Sequence, residues 1–388
     1  MIGRRQLPVA SPVSVAGLAR ALGDALRSSS ANTVRARSVI AREFGAPHMV
    51  LADSGTSALV LALRIAAGRP GDVVALPAYA CVDLVAAARH ARVQVRLYDV
   101  DPETLSPDLD SIRRVIDRGV HAIVVAHLFG YAADVPAVRE IAERAGVVVI
   151  EDAAQGAGGL LNGMRLGRLG DLAVLSFGRG KGLCAGGGGA LFGRGDRWES
   201  AIERLALPES GRGLSGLVAT TIQWALGRPS LYALPSMLPF LHLGEMVYHD
   251  ATEPQSMSAS STSLVESALG LEPADLARRR ANARALDALV DGVKQLRRAT
   301  AVPSSEPGFL RYAVRDFGGR RRAEPSLGVV RPYPKTLMEE PNLQPILASG
   351  ESAPTGATEL ARSLYTLPSH RFVGTSDLVE LRRWLSSD

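Results

Sequence analysis

Leu172-Ala173-Val174-Leu175-Ser176-Phe177-Gly178-Arg179-Gly180-Lys181-Gly182 is the stretch that decides how this chain is read. It opens as a short apolar strand, turns through small residues and ends on a lysine, with Cys184-Ala185 and the run Gly186 to Gly189 behind it. Lysine is scarce in this chain. Of 44 basic residues only Lys181, Lys294 and Lys335 are lysines, so arginine fills nearly every position where a solvated cation suffices. Arginine stays protonated, whereas a buried lysine can lose its proton and act as nucleophile or base. A phosphate-binding P-loop is the competing reading, but the order Gly-x4-Gly-Lys-Ser/Thr is not met.

Upstream, short apolar runs alternate with helical stretches. Residues 49–52, 73–76, 93–97, 122–126 and 147–150 read as strands, followed by 172–175 and 190–192. Alanine- and leucine-rich helices are expected near 57–67, 82–90, 108–117 and 134–145. Buried strands alternating with helices predict a three-layer α/β/α architecture around a mostly parallel sheet. The last two strands are joined by glycine-rich sequence, so one edge is expected to depart from that alternation. Residues 195–256 are proline-rich with weak periodicity and read as an extended connection. A long helical region at 262–297 and a final helix at 377–385 bracket a smaller α+β C-terminal domain. The expected division is 1–250 and 251–388, in keeping with about 150 residues per domain.

Composition narrows the classes. Apolar residues make up 46% and charged residues 21% of 388, which excludes a mainly disordered chain. Cys81 and Cys184 are too few for a disulfide framework or a zinc pattern, so no metal is expected and a reducing, cytoplasmic setting is. The net charge of +5 is scattered. Its tightest clusters, Arg278-Arg279-Arg280 and Arg320-Arg321-Arg322, read as solvated arginines rather than a nucleic-acid surface. The leader-like start Met1-Ile2-Gly3-Arg4-Arg5 is followed by prolines and charges, and the apolar stretch 214–243 is broken by Arg228, Pro229, Pro235, Pro239 and His242. No transmembrane segment is expected. With Trp224, Tyr232 and Phe240, 214–243 is expected to cover a cleft or meet another subunit.

Loops after parallel strands gather at one sheet edge, where ligands of open α/β sheets bind. After residue 52 comes Asp53-Ser54-Gly55-Thr56-Ser57-Ala58-Leu59, a tight turn running into a helix whose free N–H groups and hydroxyls suit an anion, although ordinary N-capping explains the same residues. After residue 150 comes Glu151-Asp152-Ala153-Ala154-Gln155. A carboxylate there needs a cation or strong donors, and a pyridinium nitrogen is one such partner. An anion cradle, an aspartate and a later lysine on successive loops are what pyridoxal 5′-phosphate requires.

In order and wording these motifs resemble the nucleotide-sugar aminotransferases of the DegT/StrS type, which have the aspartate-aminotransferase-like fold (fold type I). The resemblance is carried by Ser54 to Leu59, Asp99-Val100-Asp101-Pro102-Glu103-Thr104, Val125-Ala126-His127-Leu128-Phe129-Gly130 and Glu151 to Gln155. Gly170-Asp171, Ser176-Phe177 four residues before Lys181, and Leu367-Pro368-Ser369-His370 complete it. It implies pyridoxal 5′-phosphate as cofactor, held as a Schiff base on Lys181, which then moves the proton. Asp152 would pair with the ring nitrogen and Gln155 approach the phenolic oxygen. Thr56, Ser57 and Ser176, with Gly55 in the same turn, would hold the phosphate. His127 and Tyr131 are candidates for contact with substrate, whereas Arg331, Tyr333 and Lys335 are expected at solvated surface.

Two departures stand out. Pro77-Ala78-Tyr79-Ala80-Cys81 aligns with a stretch whose fifth residue is usually an aromatic stacked on the cofactor, and that position is Cys81 here. Stacking is then lost, or supplied by Tyr79 or another residue. The family also tends to send an asparagine from the partner subunit to the phosphate from a segment before a methionine; here Glu253-Pro254-Gln255-Ser256 precedes Met257. The resemblance implies a homodimeric aminotransferase acting on a keto-sugar nucleotide, with glutamate as donor; apart from it, the scattered charge leads us to expect no nucleic-acid partner, and a peripheral membrane contact at 214–243 stays open. Two alternatives remain: a pyridoxal phosphate enzyme for a non-sugar substrate, and a non-catalytic relative serving as an interaction module.

Overall fold

Runs of valine, isoleucine and leucine without polar alternation build a sheet covered on both faces. The computed structural model describes residues 4–25, 30–210, 214–233, 246–319, 321–351 and 353–386. Met1 to Gly3 of the leader-like start, Arg320 and Phe240 therefore lie outside the described residues. The first half of the chain gives α1 (Val15–Ala25), α2 (Ser30–Phe44), β1 (Met49–Ala52), α3 (Gly55–Ala67), β2 (Val73–Pro77) and α4 (Asp83–Ala91). Next come β3 (Gln94–Tyr98), α5 (Leu109–Asp117), β4 (Ala122–Ala126), α6 (Val135–Arg144) and β5 (Val148–Asp152). The short strands β6 (Leu160–Leu161) and β7 (Met164–Arg165) precede β8 (Leu172–Ser176) and β9 (Gly189–Gly193).

The main sheet has the order β1-β9-β8-β5-β4-β2-β3. The pairs β2–β3, β2–β4, β4–β5 and β5–β8 are parallel. Only β9 runs against its neighbours, pairing antiparallel with β8 and β1. This is the expected break, because the glycine-rich connection from β8 to β9 carries no crossover helix.

Alternation along each strand assigns the two faces. Met49 and Leu51 pack with Ala173, Leu175, Ala190 and Phe192 beneath the N-terminal helices. Val50, Ala52, Leu172, Val174 and Leu191 turn to the other face, against α3. The sequence pattern had not singled out α1 and α2, whose apolar stripe is interrupted by arginines and serines.

Downstream, two expectations are corrected. The stretch 195–256 is not simply extended: it contains α7 (Asp196–Glu203) and α8 (Leu214–Leu226). The long helical region is α9 (Ala259–Val290), and 296–298 is instead the strand β10 (Leu296–Arg298). Its first half packs under the sheet with Leu264, Val265 and Leu269, and its last turns join a second core through Ala283, Leu286 and Val290. That core also holds β12 (Tyr312–Asp316), β13 (Leu364–Leu367) and α11 (Thr375–Ser386), with β10-β12-β13 as its sheet, whereas α10 (Thr355–Ser363) packs into the main core through Ala357, Leu360 and Ala361 and β11 (Ser305–Glu306) pairs with β6. Among the described residues no helix is long and apolar enough to cross a membrane.

The arginine clusters are corrected as well. Arg279 is buried and pairs with Asp275 at 2.9 Å, and Arg321 is buried on Asp316 at 2.8 Å, so neither is solvated.

Candidate active site

Strand ends of β1, β2, β4, β5 and β8 meet at a cavity of about 310 Å³. Lys181, Asp152, Gln155, Cys81 and His127 line it, as do Gly55, Thr56 and Ser176. Five separate loops thus converge at one edge of the sheet.

The cradle side is built by α3. Ser54 caps the helix: its Oγ accepts the Ser57 N–H at 3.0 Å and donates to the Ser57 hydroxyl at 2.9 Å. Ser57 is therefore buried and occupied within the cap, and it does not line the cavity. The cavity-lining hydroxyls are those of Ser54, Thr56 and Ser176. A Cβ at Gly55 would stand 2.7 Å from the Ser176 Cβ, so only glycine lets the start of α3 approach the end of β8. The first-turn N–H groups of α3 have no intrahelical partner, which adds donors to this wall.

Across the cavity, burial pushes the Asp152 carboxyl up, opposed by the Ala154 N–H at 3.0 Å and by the charge of Lys181. A carboxylate held by one backbone donor lacks a full complement of partners. Lys181 is half-buried, and its charge acts on both Asp152 and Cys81. Burial pushes the Cys81 thiol up to about 12, so it is not a thiolate nucleophile near neutral pH. Tyr79 does not replace the missing aromatic: it is buried away from the cavity, its ring edge-on to Tyr333 at 5.2 Å.

Gln155 is held on both sides. Its Oε1 accepts the Phe129 N–H at 3.1 Å and its Nε2 donates to the Tyr333 hydroxyl at 2.9 Å. Tyr333 is thus a buried support of the site rather than solvated surface, although Lys335 is exposed as expected.

Both ring nitrogens of His127 are committed. The Ala133 N–H donates to Nδ1 at 3.0 Å, which leaves the proton on Nε2 for Glu151 Oε1 at 2.8 Å. His127 lines the cavity as a fixed ring, with no nitrogen available for proton exchange with substrate. Tyr131 does not line the cavity: it is buried, its ring edge-on to Phe309 and its hydroxyl accepting the Ala313 N–H at 3.3 Å. Tyr131 ties the loop after β4 to β12.

Glu151 was quoted in the sequence only as a neighbour of Asp152. Burial alone would raise its pKa, but the His127 hydrogen bond and the Gly167 and Gly170 N–H groups outweigh that and hold it low. The Leu169 N–H donates to it as well, at 2.6 Å. Glu151→Ala would leave these buried donors unpaired and should cost about 3 kcal/mol, read as a lower urea midpoint. Because its folded pKa is depressed, the Glu151 contribution is complete above about pH 4.3 and is lost as pH falls through the folded value.

Sequence reading had assigned no role to four polar residues that line the cavity, Asp53, Ser54, Asp83 and Arg179. Ser54 was legible as an N-cap, three residues before Ser57. Asp83 opens α4 two residues after Cys81, but nothing in the sequence places that turn at the cavity.

With the geometry in place, the chain can be set beside known proteins. Its fold is that of the type I pyridoxal phosphate aminotransferases. The aminotransferase TlmJ from Streptoalloteichus hindustanus superposes with a TM-score of 0.78 over 99% of this chain and 98% of that one, at 24% identity. Residues 24–215 match the DegT/DnrJ/EryC1/StrS aminotransferase family. An L-glutamine:2-deoxy-scyllo-inosose aminotransferase from Streptomyces lividus is 30% identical over 276 residues, 71% of this chain and 60% of the relative. One of the same name from Streptomyces kanamyceticus is 37% identical over 145 residues, 37% of this chain and 34% of the relative. The chain thus spans between about a third and three fifths of the length of these curated relatives.

Proposed function

We propose that this protein is a pyridoxal phosphate-dependent aminotransferase that moves an amino group from glutamate or glutamine to a keto-sugar nucleotide. The observation that carries the reading is one cavity holding Lys181, the undersatisfied Asp152 and an opposing wall of hydroxyls and helix N–H groups. That donor set fits the cofactor: an amine for its aldehyde, a carboxylate for its ring nitrogen and a cradle for its phosphate. Bound there, pyridoxal phosphate supplies an electrophilic carbonyl and an electron sink.

The chain's own residues do the rest. Lys181 would hold the cofactor's aldehyde through Nζ and would serve as the base that moves the donor's α-proton. Asp152 keeps the ring nitrogen protonated, since pairing with that cation restores the counter-charge its burial removed. Ser54, Thr56 and Ser176 fix the phosphate. Gln155, pinned by Phe129 and Tyr333, presents its amide at a set height beside the ring. Homodimerisation belongs to the same reading and is checked by sedimentation.

A second reading is favoured by the relatives' names, in which the acceptor is 2-deoxy-scyllo-inosose and the donor L-glutamine. Incubation with pyridoxal phosphate and either donor, against a keto-hexose nucleotide and against 2-deoxy-scyllo-inosose, separates the two by the mass of the aminated product. No amination of either ketone would overturn both readings.

A further inference from the structure

The cavity is lined by more negative than positive charge. Asp53, Asp83 and Asp152 stand against Lys181 and Arg179. The other ionisable groups of the wall do not redress this: His127 accepts at Nδ1 and is neutral, and the Cys81 thiol is protonated near pH 7. Asp53 sits directly beside the phosphate cradle, one residue before Ser54. Its backbone is fixed there, with the N–H donating to Gln255 O at 2.8 Å and the carbonyl accepting the Gly188 N–H at 3.0 Å. Its Oδ1 is buried without a hydrogen-bond partner among the described residues.

Cofactor binding makes the imbalance worse. Lys181 is then taken up by the aldehyde and Asp152 by the ring nitrogen, which leaves Asp53 and Asp83 facing a phosphate of about two negative charges. The donors of the cradle, hydroxyls and N–H groups, carry no net charge. Among the described residues Arg179 is the one arginine that lines the cavity. It stands on the loop after β8, three residues beyond the cradle hydroxyl of Ser176 and two before Lys181. The loop is pinned on both sides of it: Ser176 Oγ accepts the Gly178 N–H at 3.4 Å, and Ser11 Oγ accepts the Gly180 N–H at 3.0 Å. The side chain therefore starts from a fixed base at the edge of the cradle. It is exposed, and no carboxylate of the described residues holds it in an ion pair. A guanidinium fork matches two phosphate oxygens with parallel charge-assisted hydrogen bonds.

We propose that Arg179 binds the 5′-phosphate of the cofactor and supplies the positive charge that the neutral cradle lacks. The inference rests on the pyridoxal phosphate reading and adds a ligand to it. It is a binding role, with no proton or bond transfer at the guanidinium.

The test titrates cofactor-free wild type, Arg179→Gln and Arg179→Lys with pyridoxal phosphate and with pyridoxal, which keeps the ring and aldehyde but has no phosphate. Binding is read from the absorbance band of the captured aldehyde, without turnover. Arg179→Gln should weaken pyridoxal phosphate about 10-fold and leave pyridoxal unchanged. Arg179→Lys, a point charge without the fork, should lose about 3-fold. Raising the salt concentration about tenfold should erode the wild-type preference for pyridoxal phosphate more than that of Arg179→Gln, because an exposed cation is screened. An unchanged preference in Arg179→Gln, or an equal loss of both compounds, would overturn the assignment. So would intact cofactor affinity with a higher KM for a keto-hexose nucleotide alone, which would give the arginine to the acceptor's diphosphate. A wild-type protein that gains no band with either compound fails earlier, at the function itself, and takes this proposal with it.

Discussion

Lys181→Ala should lose covalent cofactor capture and about 10⁴-fold in turnover. The size follows from two roles lost together: the amine that holds the carbonyl, and the base that moves the α-proton. Nothing nearby substitutes. Lys294 and Lys335, the other two lysines, are both exposed, and neither lines the cavity. The arginine in the same loop, Arg179, remains protonated and cannot add to a carbonyl. The check is borohydride reduction of the loaded protein followed by peptide mapping. Wild type should carry the added mass on the peptide containing Lys181, and the variant should carry none. Label on Lys294 or Lys335, or normal turnover by Lys181→Ala, would overturn the site. Lys181→Arg should behave as the alanine variant does, which separates loss of chemistry from loss of positive charge.

Why that lysine was legible, when several of its neighbours were not, has a physical reason. Strands such as Ala122–Ala126 and Leu172–Ser176 are buried on both faces, so their composition announces them, and the loops after them fall at one edge by topology alone. Asp152, Gln155, Thr56, Ser176 and Lys181 inherit their position from that rule. Ser57 and Tyr131 failed for a local reason: which way a side chain turns depends on hydrogen bonds that sequence order does not encode. The Ser57 hydroxyl faces Ser54, and the Tyr131 ring faces Phe309 from 178 positions downstream in the chain.

Asp152→Asn sets function against stability, and the two should move in opposite directions. The amide keeps the shape and can still accept the Ala154 N–H, but it removes the negative charge that stabilises a protonated ring nitrogen. Turnover should fall at least about 10²-fold, the usual loss when one preorganised electrostatic partner is deleted from a water-poor site. Stability of the cofactor-free protein should rise. Burial places the folded pKa of Asp152 above its unfolded value, so the folded state binds that proton more readily, and ionisation as pH rises works against the fold. The benefit of asparagine is therefore complete above the folded pKa and disappears below about pH 3.9, where the aspartate is neutral in both states. Thermal melts of the cofactor-free proteins at pH 7 and pH 3.5 test the sign. A higher melting temperature for Asp152→Asn at pH 7, with no difference at pH 3.5, is expected. Pyridoxal phosphate should then reverse the order at pH 7, because only wild type offers the ring nitrogen a counter-charge. If asparagine instead destabilised the cofactor-free protein at pH 7, Asp152 would already be satisfied within the protein, and the case for a cationic ring opposite it would lose its physical basis.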